Sequence, residues 1–490
     1  MNTPIRRLAI ASLVLFLALM GNATYVQYVK ADALNSHVTN KRVIDEQYSR
    51  ERGEILVDGE PIVESVDSGD SYVYQRAYAD GPLYAPVTGY FSYTYGRDGI
   101  EDTQNPILSG SDDRLFVTRV IDLLSNKQPQ GGSVELTLSG AAQTTAADAL
   151  AALPAGTKGA VAAIDAETGA VKVMVTQPSY DPNTLASHDF AAVDAAWASL
   201  IDPANTDRPM ANRAAREIAP PGSTFKLVTA AAAVSNLNLT PSSVVQGGSS
   251  YAIPGWSTPL VNQGGSDCGG DQITLEKALQ VSCNVAFGSL ADQIGQGALE
   301  EQAKKFGFGD KIISDVASSA SRVSQDGETL DRMALAQTGI GQRDVAATPL
   351  QIAMVSAGIA NDGVVMTPYL VDTVRAPNLK VLSEAEPEEY DTALTPDQAG
   401  MLQQMMIATV DAGTATSAKI SGVQVGGKTG TAERGDDLPN LAWFTSFAID
   451  GDQKIAVAVM VEAPAGTDDI SGGRLAGPIA KAVMETLLTS

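Results

Sequence analysis

The chain opens on an apolar run from Leu8 to Met20, continued less purely through Asn22, Thr24 and Gln27 to Val29. Taken whole, residues 8–29 are just long enough to cross a bilayer as one helix. Arg6 and Arg7 would keep residues 1–7 cytoplasmic and put everything beyond about residue 30 outside. A cleaved signal peptide is the other reading, because Ala31-Asp32-Ala33 resembles a cleavage site. Both readings export the rest of the chain. Residues 34–51 are polar and charged and read as a stem, and Arg52 to Gly59 then frames a strand. Residues 72–95 hold seven of the 14 tyrosines among Gly, Pro and Asp, a pattern that predicts short strands and turns. A small β-rich module is therefore expected over 30–130, closed by the break at Gly131-Gly132.

From residue 131 to 490 the pattern changes. Val134 to Leu138 reads as a strand and Ala141 to Leu153 as an alanine-rich helix; 159–164 and 170–176 form a hairpin around Asp165 to Gly169. Helical periodicity follows, notably from Ser223 to Val234 and Leu275 to Val281. Strands return at 423–433, 443–449 and 455–462, and a helix over 478–488 ends the sequence. Strands at both ends with helices between predict an α+β unit whose sheet joins sequence-distant strands. The acidic run Glu384 to Asp391 reads as a solvated loop.

Composition narrows the function. With 44% apolar and 18% charged residues the chain is globular. A net charge of −24 argues against nucleic acid or anionic lipid as partner. Cys268 and Cys283 are the only cysteines, and an oxidising compartment allows them to pair; two separate buried thiols are the alternative. Two cysteines with two distant histidines make no usual zinc set, and nothing calls for a cofactor.

The chemistry lies in three short patterns, each present once: Ser223-Thr224-Phe225-Lys226, Ser282-Cys283-Asn284 and Lys428-Thr429-Gly430. A serine hydroxyl needs a base, and histidine is a poor candidate here, since His37 lies in the stem and His188 has no companion motif. A lysine of lowered pKa can serve instead. Ser223 and Lys226 are three apart, so a helix puts both on one face, and Pro220-Pro221-Gly222 leaves Ser223 at the N-terminal, oxyanion-favouring end. Ser282 and Asn284, one residue apart, would point the same way in an extended segment. On a strand, Lys428 would share a face with Gly430, and Thr429 with Thr431. Gly422 to Thr429 also matches a phosphate-binding loop, but that needs a helix directly after Lys428, which Gly430 and Pro439 oppose.

In this order the three patterns resemble those of class B penicillin-binding proteins of the actinobacterial type. Arg52-Gly53-Glu54-Ile55, Pro221-Gly222-Ser223, Gly339-Ile340-Gly341-Gln342 before Thr348-Pro349-Leu350, and Trp443 match that class as well. The resemblance implies an antiparallel sheet flanked by helices, behind a β-rich pedestal and one membrane anchor. It implies a D,D-transpeptidase acting on peptidoglycan stem peptides and acylated by β-lactams. Ser223 would be nucleophile, Lys226 base, Ser282 proton relay and Lys428 electrostatic support. Asn284 would bind the substrate amide, Thr429 and Thr431 its terminal carboxylate beside Gly430, and the N–H groups of Ser223 and Thr431 the oxyanion. The segment 30–130 is too short for a glycosyltransferase domain, so glycan polymerisation would fall to a membrane-embedded partner. A D,D-carboxypeptidase or a β-lactam receptor is the alternative; a class A β-lactamase is disfavoured, because no E-x-x-x-N follows Ser282.

Overall fold

The computed structural model describes residues 3–35, 45, 48–116, 125, 130–325, 327–434, 438–464, 466–467 and 470–489. Most of the stem expected over 34–51 lies outside them. Thr3–Val29 forms one apolar helical segment of 27 residues, mean hydropathy 1.8, with none of its most apolar stretch buried among the described residues. It is long enough to cross a membrane.

One sheet has five strands in the order Gln424–Ala432, Leu441–Asp450, Gln453–Glu462, Lys158–Asp165 and Val171–Gln177. Every pairing is antiparallel. The hairpin and the late strands thus meet as the sequence predicts. Helices Gly140–Ala151 and Gly477–Leu488 cover one face. Pro349–Ala360 packs on the other, with Lys226–Asn236 deeper in the same core. Burial on both faces explains why Leu441–Asp450 is apolar almost throughout instead of alternating. Helix Lys226–Asn236 is buried on every side from Lys226 to Val234, and its run Ala230 to Ala233 lets neighbouring helices approach closely. Strand Gln424–Ala432 is left at the sheet edge, where the site forms.

A second sheet of six strands supports the first. Its order is Val381–Glu384, Val371–Arg375, Ser133–Leu136, Ile55–Val57, Glu60–Asp67 and Tyr74–Tyr78, so it draws strands from both sides of Gly131. The glycines there do more than break a pattern. A Cβ on Gly53 would lie 1.8 Å from the Gly132 carbonyl oxygen, and one on Gly131 only 1.9 Å from that of Leu108. Three backbones cross with no room for a side chain.

Two expectations need correction. Gly81–Thr88, inside the stretch read as strands and turns, is a helix. Pro82 sits in its first turn, where a missing N–H costs nothing, and Tyr84, Ala85 and Val87 are buried. The acidic run 384–391 is solvated but not merely a loop, because it ends strand Val381–Glu384 and begins Glu389–Thr392. Charged residues are at home on such exposed edges.

Arg52 explains the R-G-x-I element. Its Nε meets Glu101 at 2.6 Å, Arg76 Nε meets the other carboxylate oxygen at 2.6 Å, and all three side chains are buried. Arg52 also donates to Asn105 at 2.8 Å and stacks on Phe91 at 4.4 Å. Burial alone would raise the Glu101 carboxyl, yet the two guanidiniums outweigh it and hold it below the usual range. His188 lies in this region too, its Nδ1 2.6 Å from Asp70, tilted against Tyr48 and Tyr72. Asn183 clips the pedestal's edge strand, accepting from Tyr78 N–H and donating to its carbonyl, each at 2.9 Å. Removing the carboxylate leaves two buried cations facing each other. Glu101→Ala should therefore destabilise the protein by about 3–5 kcal/mol, read as a clear drop in melting temperature; an unchanged melting curve would refute the ion triad as a structural anchor.

Candidate active site

Local backbone constraints aim each functional side chain. Gly222, with φ +54°, turns the chain after Pro220-Pro221 into a 3₁₀ turn, Gly222–Phe225, that carries Ser223. The α-helix proper starts at Lys226, so the nucleophile candidate stands one tight turn ahead of it. A Cβ on Gly222 would lie 2.5 Å from the Thr431 carbonyl oxygen, and one on Gly430 2.9 Å from that of Pro221. Glycine at both positions lets the Ser223 turn press against strand Gln424–Ala432. The strand pairs in unbroken register with Leu441–Asp450, so Lys428 and Gly430 share a face, as the alternation predicts.

Ser282 and Asn284 arrive differently from the expectation. They do not lie in an extended segment. Helix Leu275–Gln280 ends in two bonds, Ser282 N–H to Leu279 at 3.1 Å and Cys283 N–H to Ala278 at 2.9 Å. That is the Schellman pattern, which puts Ser282 at the left-handed position with φ +60°. Glycine is usual there, and a serine pays conformational strain of about 1–3 kcal/mol. Asn284 then begins the next helix, Asn284–Ile294. The strained corner turns both side chains toward one point.

That point is occupied by two buried lysines. Lys226 Nζ donates to the Ser282 carbonyl at 2.7 Å, to Ser282 Oγ at 3.2 Å and to Asn284 Oδ1 at 2.7 Å. Lys428 Nζ donates to the same Ser282 Oγ at 2.8 Å and to the Thr429 carbonyl at 2.8 Å. Phe287 lies under Lys226, 5.7 Å away. Both lysines are fully buried. Burial, and then the neighbouring Lys428 cation, push the Lys226 ammonium well below its ordinary value. Burial pushes Lys428 down to about 7. The unfolded chain keeps both protons up to the ordinary lysine range, so at neutral pH the pair costs the fold stability.

Beside them opens a cleft of about 630 Å³, lined by Ser223, Ser282, Asn284, Thr429, Gly430 and Thr431 among others. All the residues expected from the sequence meet here, Lys226 and Lys428 from beneath. His188 belongs to the aromatic cluster instead. The phosphate-loop pattern runs into strand Gln424–Ala432, which continues past Lys428, and among the described residues no helix follows it directly. Sequence reasoning missed Thr414, Thr416, Ser417, and Ser471 with the start of the short helix Gly472–Leu475, which also line the cleft. None belongs to a motif, and only folding brings them to the site.

Cys268 and Cys283 form a disulfide across 15 positions, with Cα atoms 5.7 Å apart. It ties the 262–270 loop to the residue next to Ser282. Asn262 adds to this tie, donating to Gly248 and Ser266 and accepting from Val285 N–H at 3.0 Å.

A serine at a tight helical turn, two buried lysines and a hydroxyl between them define a serine acyl-transfer site that works without histidine. The sequence matches the penicillin binding protein transpeptidase domain over residues 159–485 and the penicillin binding protein A dimerisation domain over 52–134. The chain therefore belongs to the penicillin-binding protein transpeptidase family. It is 40% identical to peptidoglycan D,D-transpeptidase PbpA of Mycolicibacterium smegmatis, covering 100% of this chain and 99% of the relative. The Mycobacterium tuberculosis PbpA is 38% identical over the same shares of the two chains. Among solved structures, the ceftriaxone acyl-enzyme of penicillin-binding protein A from M. tuberculosis superposes with a TM-score of 0.85, covering 91% of this chain and 100% of that one. The penicillin G acyl-enzyme superposes at 0.83, with 90% and 100% covered.

Closing a loop of this size contributes about 3 kcal/mol of stability. Replacing both Cys268 and Cys283 by Ser should lower the melting temperature and slow acylation by a fluorescent penicillin, since the Ser282 corner loses its tether. Unchanged acylation would show that the corner holds without the bridge.

Proposed function

We propose that this chain is a peptidoglycan D,D-transpeptidase that crosslinks stem peptides through an acyl-enzyme on Ser223. The observation that carries the reading is the convergence of Lys226 and Lys428 on one hydroxyl, Ser282 Oγ, at 3.2 and 2.8 Å, beside the cleft that holds Ser223. The names of the mycobacterial relatives and the β-lactam acyl-enzymes of the similar structures support it.

Neutral Lys226 takes the Ser223 proton as Oγ attacks the carbonyl of the penultimate D-Ala. The backbone N–H groups of Ser223 and Thr431 hold the oxyanion, and Asn284 holds the substrate amide. The proton passes through Ser282 to the nitrogen of the departing D-Ala, whose C–N bond breaks. Thr429 and Thr431, beside Gly430, hold the terminal carboxylate until release, and Lys428 supplies the positive field. An amine of a second strand then attacks the ester. Lys226 takes a proton from that amine and hands it to Ser223 Oγ as the ester C–O bond breaks, which restores the free serine.

Residues 1–7 are assigned to the cytoplasm, 8–29 to the membrane, 30–130 to the pedestal and 131–490 to the catalytic domain. The apolar segment Thr3–Val29 supports a single-pass anchor with the cleft on the outer side. A membrane-embedded glycan polymerase would supply uncrosslinked strands, meeting the anchor and pedestal.

Wild-type protein should take a fluorescent penicillin covalently and Ser223→Ala should not; an adduct that survives the substitution sinks the mechanism. Given a D-alanyl thioester donor and a D-amino acid, the protein should form the aminolysis product. Hydrolysis alone would reassign it as a carboxypeptidase. The acylation rate should be bell-shaped in pH, falling on the acid side as Lys226 gains a proton and falling above about 7 as Lys428 loses one. A rate that climbs steadily into the alkaline range would remove Lys428's charge from the mechanism.

A further inference from the structure

Thr414 belongs to none of the motifs, yet it touches both walls of the cleft. It follows helix Pro396–Ala412, whose last turn leads into Gly413. A Cβ on Gly413 would lie 2.5 Å from the Gln280 carbonyl oxygen, so this turn is seated tightly against the chain just ahead of Ser282. Thr414 N–H donates to that same carbonyl at 3.3 Å. On the opposite side, Thr429 Oγ1 donates to Thr414 Oγ1 at 2.8 Å. Above the pair, a Cβ on Gly473 would lie 2.8 Å from the Thr414 carbonyl oxygen and 3.4 Å from Thr429 Cγ2. The absence of a side chain at 473 lets the short helix Gly472–Leu475 come this close.

A hydrogen bond between two solvent-reached hydroxyls does little for stability, because water would satisfy either partner. Its use is directional. The Thr429 hydroxyl donates to Thr414, and among the described residues no donor is fixed on its own oxygen. No Asp or Glu lines the cleft among the described residues, and the hydroxyls of Thr414, Thr416, Ser417 and Thr429 do. This end of the cleft therefore suits an anionic group.

We propose that Thr414 is a positioning residue for the ligand carboxylate, acting through Thr429. When a carboxylate enters, the Thr429 hydroxyl turns its proton to it. Thr414 then reverses and donates its own proton to the Thr429 oxygen. A hydroxyl that receives a hydrogen bond is a stronger donor, and its orientation is fixed. The role rests on the transpeptidase reading, in which Thr429 holds the carboxylate.

The test compares Thr414→Val, which keeps the shape and removes the hydroxyl, with Thr414→Ser, which keeps the hydroxyl. Acylation of the full chain is timed with penicillin G and with its methyl ester, alongside melting curves. Thr414→Val should lose about tenfold in second-order rate with penicillin G. The loss should lie in the concentration dependence, with the rate at saturation and the melting temperature kept. The ester should react alike with wild type and variant, and Thr414→Ser should restore the rate. A Thr414→Val rate equal to wild type, an equal loss on acid and ester, or no rescue by Ser overturns the Thr414 role alone. A wild-type chain that forms no adduct overturns the transpeptidase reading and this role with it.

Discussion

Two cations buried against one neutral hydroxyl are the constraint around which the catalytic domain is arranged. Lys226 and Lys428 are fully enclosed and lean on the same Ser282 Oγ. Like charges in a dry interior repel, and each also loses its hydration. Both ammonium groups are pushed toward the neutral form, Lys226 by burial and then by Lys428, and Lys428 by burial. The surroundings keep this arrangement in place. A helix buried on all sides holds Lys226, a sheet-edge strand in continuous register holds Lys428, and a strained corner braced by a disulfide holds Ser282.

The pedestal solves a related problem with the opposite sign. There two guanidiniums are buried as well, but a carboxylate lies between them, so all three stay charged. A carboxylate between Lys226 and Lys428 would stabilise the domain and hold both ammonium groups protonated. The contrast separates a structural ionic core from a reactive one: what differs is the neutralising partner, more than the burial.

Much of this was legible in the sequence because it depends on spacing. Ser223 and Lys226 are three positions apart, and Lys428 lies in a strand-like run, so their geometry follows from helix and strand periods. The joining of the 159–176 hairpin with the late strands followed from the order of elements. What stayed hidden depends on tertiary contact. Nothing in Ser282-Cys283-Asn284 announces a left-handed serine, because the two bonds that define it come from the end of the preceding helix. Thr414 carries no pattern, and its place exists only once helix Pro396–Ala412 docks beside Gln280. Gly81–Thr88 was obscured by its own composition, since proline marks a turn and a helix start equally well.

The order of the strands has a consequence for the chain as it is made. Synthesis delivers Ser223 and Lys226 early, while strand Gln424–Ala432 and the two strands that join it to the hairpin emerge last. Until that edge docks, Lys226 lacks the cationic neighbour that Lys428 supplies. The pair of buried cations is therefore complete only when this edge strand has joined the sheet.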